Sequence, residues 1–429
     1  MDSRKFYTIV LFSFLTISLQ AQEPKDETVS VGAGYFDFMF YKFKDGSKTT
    51  YQHTQWDIAF STDFMDGAVF VNEGTGSNRT LPPPEVELYH VANGNYADLD
   101  TTGMIRIYNE DNSWTMGAFN NIADPNNVID QGWGNYNPQT RGIEGTQVFV
   151  IKLRNGQFKK LEIQSYSSMT ASYAFRYADL DGNNETSESI SKTAYAGKTL
   201  VYYSIENEEV LDLEPEAGWD FVFTRYYTPL PFQGDFLQYL LTGMLTNKGV
   251  EVVRADGVNV DNVDYLDYAD DYSADSLRII GHDWKDIDFN TFEWFIIADR
   301  AYFVRTAEGE IYKLVFVDFE GSRSGIASFE QTLLGTSTST KDEFENLESF
   351  NVFPNPATDL VQMAFDLKES NESAVIRITN ALGQSVLEYN RDVRSGFQVI
   401  EIPIDLASGM YYLSLQMGQD QISRPFVVK

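Results

Sequence analysis

Few side chains in this sequence are of the types that perform catalysis or bind transition metals. The chain has 429 residues, among them three histidines and no cysteine. Without cysteine, thiolate metal sites, cysteine nucleophiles and disulfides are excluded. His53, His90 and His282 allow few catalytic or metal-binding groupings, and no serine stands in a nucleophile elbow. We therefore predict no catalytic residues and no metal site.

Carboxylates are abundant but follow no recognisable catalytic or metal-binding spacing. The stretches 179–185 and 264–275 are rich in the oxygen ligands that calcium favours. The first has Asn184 where a calcium loop needs glycine and Ile190 where it needs an acid, and the second has no loop spacing. We interpret both as solvated acidic loops. A carboxylate pair for hydrolysis stays an alternative, because 63 acidic residues place some near one another by abundance alone.

The charge balance restricts the class of partner. The formal net charge is −31, so the surface repels phosphate backbones and anionic lipid. We expect no nucleic acid partner.

The first 21 residues have the pattern of a secretory signal peptide. Arg4 and Lys5 form a short basic start, and a mainly apolar run from Phe6 to Leu19 follows. A run of about 14 residues is too short to cross a bilayer core, which needs roughly 20. We expect cleavage near Ala21 and no transmembrane segment afterwards.

Three sequence anchors recur in the same order, which indicates an internal duplication. They pair Trp56–Phe60 with Trp219–Phe223, Trp133 with Trp284, and the hairpin turn Asn155-Gly156 with Glu308-Gly309. The offsets are 163, 151 and 153 residues, the length of a whole domain. Asp57 and Asp220 follow the first pair of tryptophans. We predict that both share a structural task, such as accepting a hydrogen bond from a neighbouring backbone.

The composition predicts an all-β fold, and the repeat anchors and the strand pattern divide it into two tandem β-rich domains and a small C-terminal β-sandwich. Aromatic residues make up 14% of the chain, with 25 Tyr and 31 Phe, which suits half-buried strands. The expected segments are a signal peptide at 1–21, β domains at 22–190 and 196–334, a polar linker at 335–349, and the C-terminal module at 350–429.

The C-terminal module contains six expected strands, separated by turn residues. They are 361–365, 374–379, 384–389, 399–402, 409–416 and 425–428. Four motifs accompany them, at 353–356, 380–386, 406–413 and 427–429.

These motifs resemble, in type and order, the type A C-terminal sorting domain of type IX secretion cargo. The motif positions are Pro354, Asn355, Pro356, Gly383, Gly409, Tyr411 and Lys429. The resemblance implies export through the periplasm and across the outer membrane by the type IX machinery. The module would then be cleaved, and the protein secreted or attached to the outer surface. An ordinary β-sandwich appendage is the alternative.

The repeat anchors are also similar to HmuY-like domains, which are all-β and include haemophores. That resemblance implies haem as a possible cofactor, held by two axial histidines or methionines. His53 and His90 are the candidate ligands, and Met104, Met116 and Met169 are interpreted as core filler.

The sequence as a whole predicts an exported, non-enzymatic binding protein, delivered by type IX secretion to an extracellular ligand that it does not identify. A haem-capturing protein and an extracellular hydrolase are the two alternatives.

Overall fold

The computed structural model describes most of the chain after the expected signal peptide, whose residues 1–21 lie outside the described part. The described residues are 23–63, 66–76, 85–92, 94–127, 129–269, 271–274, 276–336, 347–353, 356–380, 383–418 and 420–429.

The expected all-β fold is confirmed, since antiparallel strands and four single-turn 3-10 helices make up the described secondary structure. Nowhere in the described residues does a helix reach the length and hydropathy needed to span a bilayer. The chain divides into two compact units, residues 1–337 and 338–429.

The described residues of the first unit form 23 strands. In chain order they are β1 Lys25–Ser30, β2 Asp37–Tyr41, β3 Lys48–Gln52, β4 Ile58–Ser61, β5 Val69–Val71, β6 Glu87–His90, β7 Ile105–Ile107, β8 Gly134–Asn137, β9 Gly142–Gly145, β10 Phe149–Lys152, β11 Phe158–Ser167, β12 Ser172–Asp179, β13 Thr186–Ser191, β14 Leu200–Ser204, β15 Glu209–Leu211, β16 Phe221–Phe232, β17 Asp235–Thr246, β18 Glu251–Asp256, β19 Lys285–Asp288, β20 Glu293–Ile296, β21 Arg300–Arg305, β22 Glu310–Phe319 and β23 Ile326–Thr336. The 3-10 helices are His53–Gln55, Lys192–Tyr195, Tyr265–Tyr268 and Gly321–Arg323.

Strands β4 to β15 form a contiguous first module. One sheet has the order β15-β14-β4-β5, and the other runs β13-β12-β11-β10-β6-β7 with β8 and β9 at its side. Aromatic residues fill the space between the sheets, as where Phe60 meets Tyr173 and Phe175 at 4.9 and 5.1 Å. Their buried core extends from Ile58 to Ile205.

The second module is discontinuous, because β1 to β3 pack with β16 to β23. Its sheets have the orders β17-β16-β2-β3 and β1-β23-β22-β21-β18. Strand β1 pairs with β23 over six residues, and β2 pairs with β16 through Tyr41 opposite Phe221. The buried core joins Val29–Phe43 to residues of 221–329. The first module is thus inserted into the second.

This pairing differs from the expected tandem division at residues 190–196. Each Trp-Asp strand pairs with a hairpin, but the hairpin β2–β3 that precedes β4 in sequence pairs with β16 instead. The hairpin β14–β15 that precedes β16 pairs with β4. Because the two Trp-Asp strands are alike, sequence order alone does not decide which hairpin pairs with which.

The predicted structural task of the two repeated aspartates is confirmed. Asp57 Oδ2 accepts the backbone N–H of Ile205 at 2.7 Å, and Asp220 Oδ2 accepts that of Phe43 at 2.7 Å. The backbone N–H of Asp57 donates to Tyr203 O, as that of Asp220 donates to Tyr41 O. Each aspartate therefore fixes the register of its strand against a hairpin.

The predicted hairpin pair is also confirmed. Strands β10–β11 and β21–β22 turn at Gly156 and Gly309, whose φ angles of 84° and 86° suit glycine. In each hairpin a lysine donates to a distant backbone carbonyl, Lys160 to Tyr96 O and Lys313 to Val260 O. The duplicated anchors thus make equivalent contacts.

The second unit is a small β-sandwich with its own buried core. Its strands are β24 Leu347–Phe353, β25 Leu360–Leu367, β26 Asn371–Asn380, β27 Ser385–Val393, β28 Gly396–Pro403, β29 Gly409–Met417 and β30 Asp420–Val428. The sheets have the orders β24-β25-β28 and β27-β26-β29-β30. All six expected strands are present, and β24 is additional.

Candidate functional site

An aromatic cavity lies where the two modules of the first unit meet. We call it the tryptophan cavity, because Trp56, Trp114 and Trp219 line it. Its volume is about 90 Å³, below the roughly 300 Å³ of a pocket for drug-sized ligands. The other lining residues are Phe38, Phe40, His53, Phe70, Val71, Asn72, Glu73, Gly74, Asn109, Glu110, Asp111, Leu200, Tyr202, Glu214, Val222, Thr224, Arg225, Tyr226, Leu245 and Leu277.

The aromatic wall is a continuous series of ring contacts across the junction. Phe40 of β2 contacts Trp219 at 5.0 Å between ring centroids, and Trp219 contacts Trp114 of the first module at 6.0 Å. Trp114 also donates its indole N–H to Thr246 O of the second module at 2.8 Å. Such edge and tilted contacts stabilise aromatic clusters beyond their buried area. Both modules are needed to build this wall.

His53 lies at the crossover between the modules and is completely enclosed. It begins the 3-10 turn between β3 and β4, contacts Phe38 in a tilted arrangement at 5.1 Å between ring centroids, and is 3% exposed. Neither ring nitrogen has a hydrogen-bond partner of good geometry. Burial and the nearby Arg225 charge lower the pKa of His53 to about 3, against a weak opposing effect of the Asp37 backbone. The imidazole is therefore neutral and offers one donor and one acceptor.

Arg225 is a buried cation with little compensation. It is 7% exposed, and its Nη1 donates to Gly76 O of the other module. Its Nε has no hydrogen-bond partner, and Arg225 forms no ion pair with any residue that the structure describes. Burial lowers its pKa, as expected where desolvation disfavours the charged form. The Glu85 carboxylate acts on Arg225 from beyond ion-pair distance and is itself paired with Arg106. A buried charge without a close counter-charge is costly to the folded state.

Two other lining groups also have buried atoms without hydrogen-bond partners. These atoms are Trp56 Nε1, a donor, and Asp111 Oδ2, an acceptor. Asp111 Oδ1 lies 3.3 Å from Arg278 Nε, so the Asp111 charge is balanced although Oδ2 is not bonded. The cavity thus combines an apolar wall with a few polar atoms that have no hydrogen-bond partner. Ligand sites usually combine an apolar lining with a few polar groups.

The remaining buried carboxylates of the cavity are occupied by backbone donors. Glu73 accepts the backbone N–H groups of Asn109 and Tyr227, and burial raises its pKa to about 7. Glu214 accepts the N–H groups of Thr199 and Leu200, and burial raises its pKa as well. Both side chains support the cavity walls. Among the described residues no group of three or more His, Asp or Glu could hold a metal ion.

The two histidines proposed as haem ligands do not line a common cavity. His90, on β6, contacts Phe149 at 5.9 Å and lies 3.1 Å from Gln147 Oε1, and it is not among the residues that line the tryptophan cavity. The cavity is also smaller than a haem macrocycle. The residues present therefore do not fit haem. The methionines interpreted as core filler are not in the core, since Met169 is 89% exposed and Met104 and Met116 are half-buried.

Sequence reasoning identified His53 and the Trp-Asp strands but missed Trp114, Glu73 and Arg225. Trp114 and Glu73 lie in connections of the first module that carry no repeat anchor. Arg225 does carry a signal, because it is a cation within the apolar and aromatic strand that follows Trp219-Asp220.

The C-terminal unit was compared with protein families. Residues 351–429 match the secretion system C-terminal sorting domain. This unit is a type IX sorting domain. Its presence implies secretion across the outer membrane by the type IX machinery, with the protein secreted or attached to the cell surface.

The motif positions of the sorting domain lie at its turns and ends. Gly383 has φ +77° in the turn between β26 and β27, and Gly409 begins β29. Tyr411 donates its hydroxyl to Ala407 O, and the Lys429 backbone N–H donates to Ala357 O. Pro356 is exposed before β25. Pro354 and Asn355 lie outside the described residues.

Two solved structures from Porphyromonas gingivalis are weakly similar to the chain. One is PorZ, a surface component of the type IX secretion system, at 11% identity and TM-score 0.15, over 90% of this chain and 55% of PorZ. The other is dimeric latent PorU, at 9% identity and TM-score 0.17, over 67% of this chain and 31% of PorU. The chain thus spans about half the length of PorZ. A search of curated proteins finds no match.

Proposed function

We propose that this protein is a non-enzymatic binding protein, delivered outside the cell by its sorting domain, and that the tryptophan cavity is its ligand site. The observation that carries the proposal is the set of buried polar atoms without partners around one apolar cavity. Such atoms cost about 1–3 kcal/mol each when left unbonded, so a ligand that bonds to them would recover that free energy.

The placement of the cavity supports the same conclusion. Its walls come from both modules, and sites between modules are a common location for ligands. The buried carboxylates bind backbone N–H groups, which favours a structural use over the acid and base pair that hydrolysis requires. The HmuY-like character of the modules stays a prediction of the repeat anchors.

The proposal is tested by filling the cavity. Val222 is 5% exposed and lines the cavity from β16, so Val222→Phe should occupy part of the space. A thermal-shift screen of small metabolites against the full chain should find compounds that raise the melting temperature of the wild type and not of the variant. A matched control is Val317→Phe, at a half-exposed position of β22. If the compounds raise the melting temperatures of Val222→Phe and Val317→Phe equally, they do not bind in the tryptophan cavity.

A further inference from the structure

We infer that the tryptophan cavity takes a small organic anion, a carboxylate with a short branched apolar body, whose charge pairs with Arg225. The inference rests on the proposed function and adds the chemical class of the ligand.

The charge of the site favours an anion. Arg225 is buried and forms no ion pair among the described residues, because Glu85, the carboxylate that acts on it from farther away, is paired with Arg106. Asp111 of the same cavity is paired with Arg278. The two other buried carboxylates of the cavity are occupied by donors of the protein. Glu214 accepts the N–H groups of Thr199, Leu200 and the Trp219 indole, and Glu73 accepts the backbone N–H groups of Asn109 and Tyr227. A neutral ligand would leave the Arg225 charge uncompensated, and a cation would be repelled by it.

The donors of the site favour an oxygen acceptor. Arg225 Nε and Trp56 Nε1 are N–H donors without partners, and the neutral imidazole of His53 supplies a third. Arg225 lies close enough to His53 to lower its pKa. A carboxylate accepts several N–H donors at once, and hydrogen bonds to an ionised group are about twice as strong as neutral ones.

The shape of the site limits the rest of the ligand. The cavity of about 90 Å³ is walled by Phe38, Phe40, Phe70 and the tryptophan rings. An engineered apolar cavity of about 150 Å³ holds benzene, so this smaller cavity favours a short branched chain over an aromatic ring.

The experiment compares acids with their uncharged amides on the full chain. Isothermal titration calorimetry at pH 7.5 would use isovalerate and benzoate against isovaleramide and benzamide, with glucose as a sugar probe. We expect saturable binding of at least one acid and at least tenfold weaker binding of its amide. The Arg225→Met variant should lose that preference, Arg225→Lys should retain part of it, and Arg254→Gln, at an exposed surface arginine, should bind as the wild type does.

The stability of Arg225→Met separates a ligand-binding role from a structural one. The variant removes a buried charge that has no ion pair, but it also loses the bond from Arg225 Nη1 to Gly76 O, so its melting temperature without ligand should stay close to that of the wild type. Equal binding of acid and amide, or binding of glucose alone, would overturn the anion inference while leaving the cavity as a ligand site. Retention of acid binding by Arg225→Met would also overturn the anion inference. If none of the five probes binds to the wild type, the inference of an acid of this size is contradicted.

Discussion

At the scale of single residues, the tryptophan cavity depends on the absence of a side chain at one lining position. Gly74 has no side chain, and the His53 ring occupies the space beside it. A Cβ on residue 74 would lie 2.0 Å from Cε1 and Nδ1 of His53, closer than any packed contact. The enclosed, neutral state of His53 therefore depends on a glycine twenty-one positions away in sequence.

The first prediction concerns this contact. Gly74→Ala should reduce the free energy of unfolding by about 1–3 kcal/mol, because a packed ring must move. In a His53→Ala background the same substitution should cost clearly less, which urea denaturation of the four proteins would measure as a coupling energy. Gly335→Ala, whose Cβ would lie 3.7 Å from its nearest neighbour, is the control. If Gly74→Ala reduces the free energy of unfolding equally in both backgrounds, the His53 ring is not the group that the new Cβ displaces.

The second prediction concerns Asp220, which fixes β16 against β2. Burial raises the pKa of Asp220 from 3.8 to about 6. The folded state therefore holds a proton that the unfolded state releases, and the contribution of this group to stability is lost as the pH rises through about 6. Asp220→Asn keeps an acceptor for the Phe43 N–H without the charge.

The free energy of unfolding of Asp220→Asn, taken relative to that of the wild type, should rise by about 1–3 kcal/mol when the pH is raised from 4 to 7.5. Urea denaturation at both pH values gives this difference. The exposed Asp98→Asn variant is the control. A difference between Asp220→Asn and the wild type that does not change with pH would contradict the assigned protonation.

At the scale of elements, the modules are interlocked by strands that cross from one part of the sequence to another. Strand β1 pairs with β23 and strand β2 pairs with β16, and the whole first module lies in sequence between β3 and β16. Cutting the chain between the modules should therefore leave the pieces associated.

A protease site inserted between Glu216 and Ala217, which are both exposed, tests this third prediction. After cleavage, the two fragments should elute together in native buffer and separate in denaturant, because β1–β23 and β2–β16 still pair. A tandem arrangement with boundaries at 190–196 would let them separate without denaturant.

The sequence predicted the strands better than it predicted their partners. Alternation and turn residues placed the hairpins β10–β11 and β21–β22 and the strands of the sorting domain, since these depend on local spacing. The pairing of β2 with β16 depends on contacts across about 180 residues, which periodicity does not encode. The cavity was missed for the same reason, because Trp114 and Arg225 meet only after the modules interlock.

At the scale of the whole molecule, the protein combines a β-rich first unit with a C-terminal sorting domain for type IX secretion. In a bacterium that has this system, deletion of residues 351–429 should leave the protein in the periplasm, as immunoblots of fractionated cells would show. Fusion of the same residues to a periplasmic reporter should send the reporter across the outer membrane. Export of the truncated chain at the wild-type level would contradict the assignment of the sorting domain.

The central claim is that the tryptophan cavity is a ligand site with an unpaired cation. The most direct measurement is an electron-density map, at about 2 Å resolution, of the protein purified from the medium into which it is secreted. The account predicts density for a small molecule within hydrogen-bond distance of Arg225 Nε. A closed cavity in which Arg225 pairs with a carboxylate of the protein itself would contradict the claim.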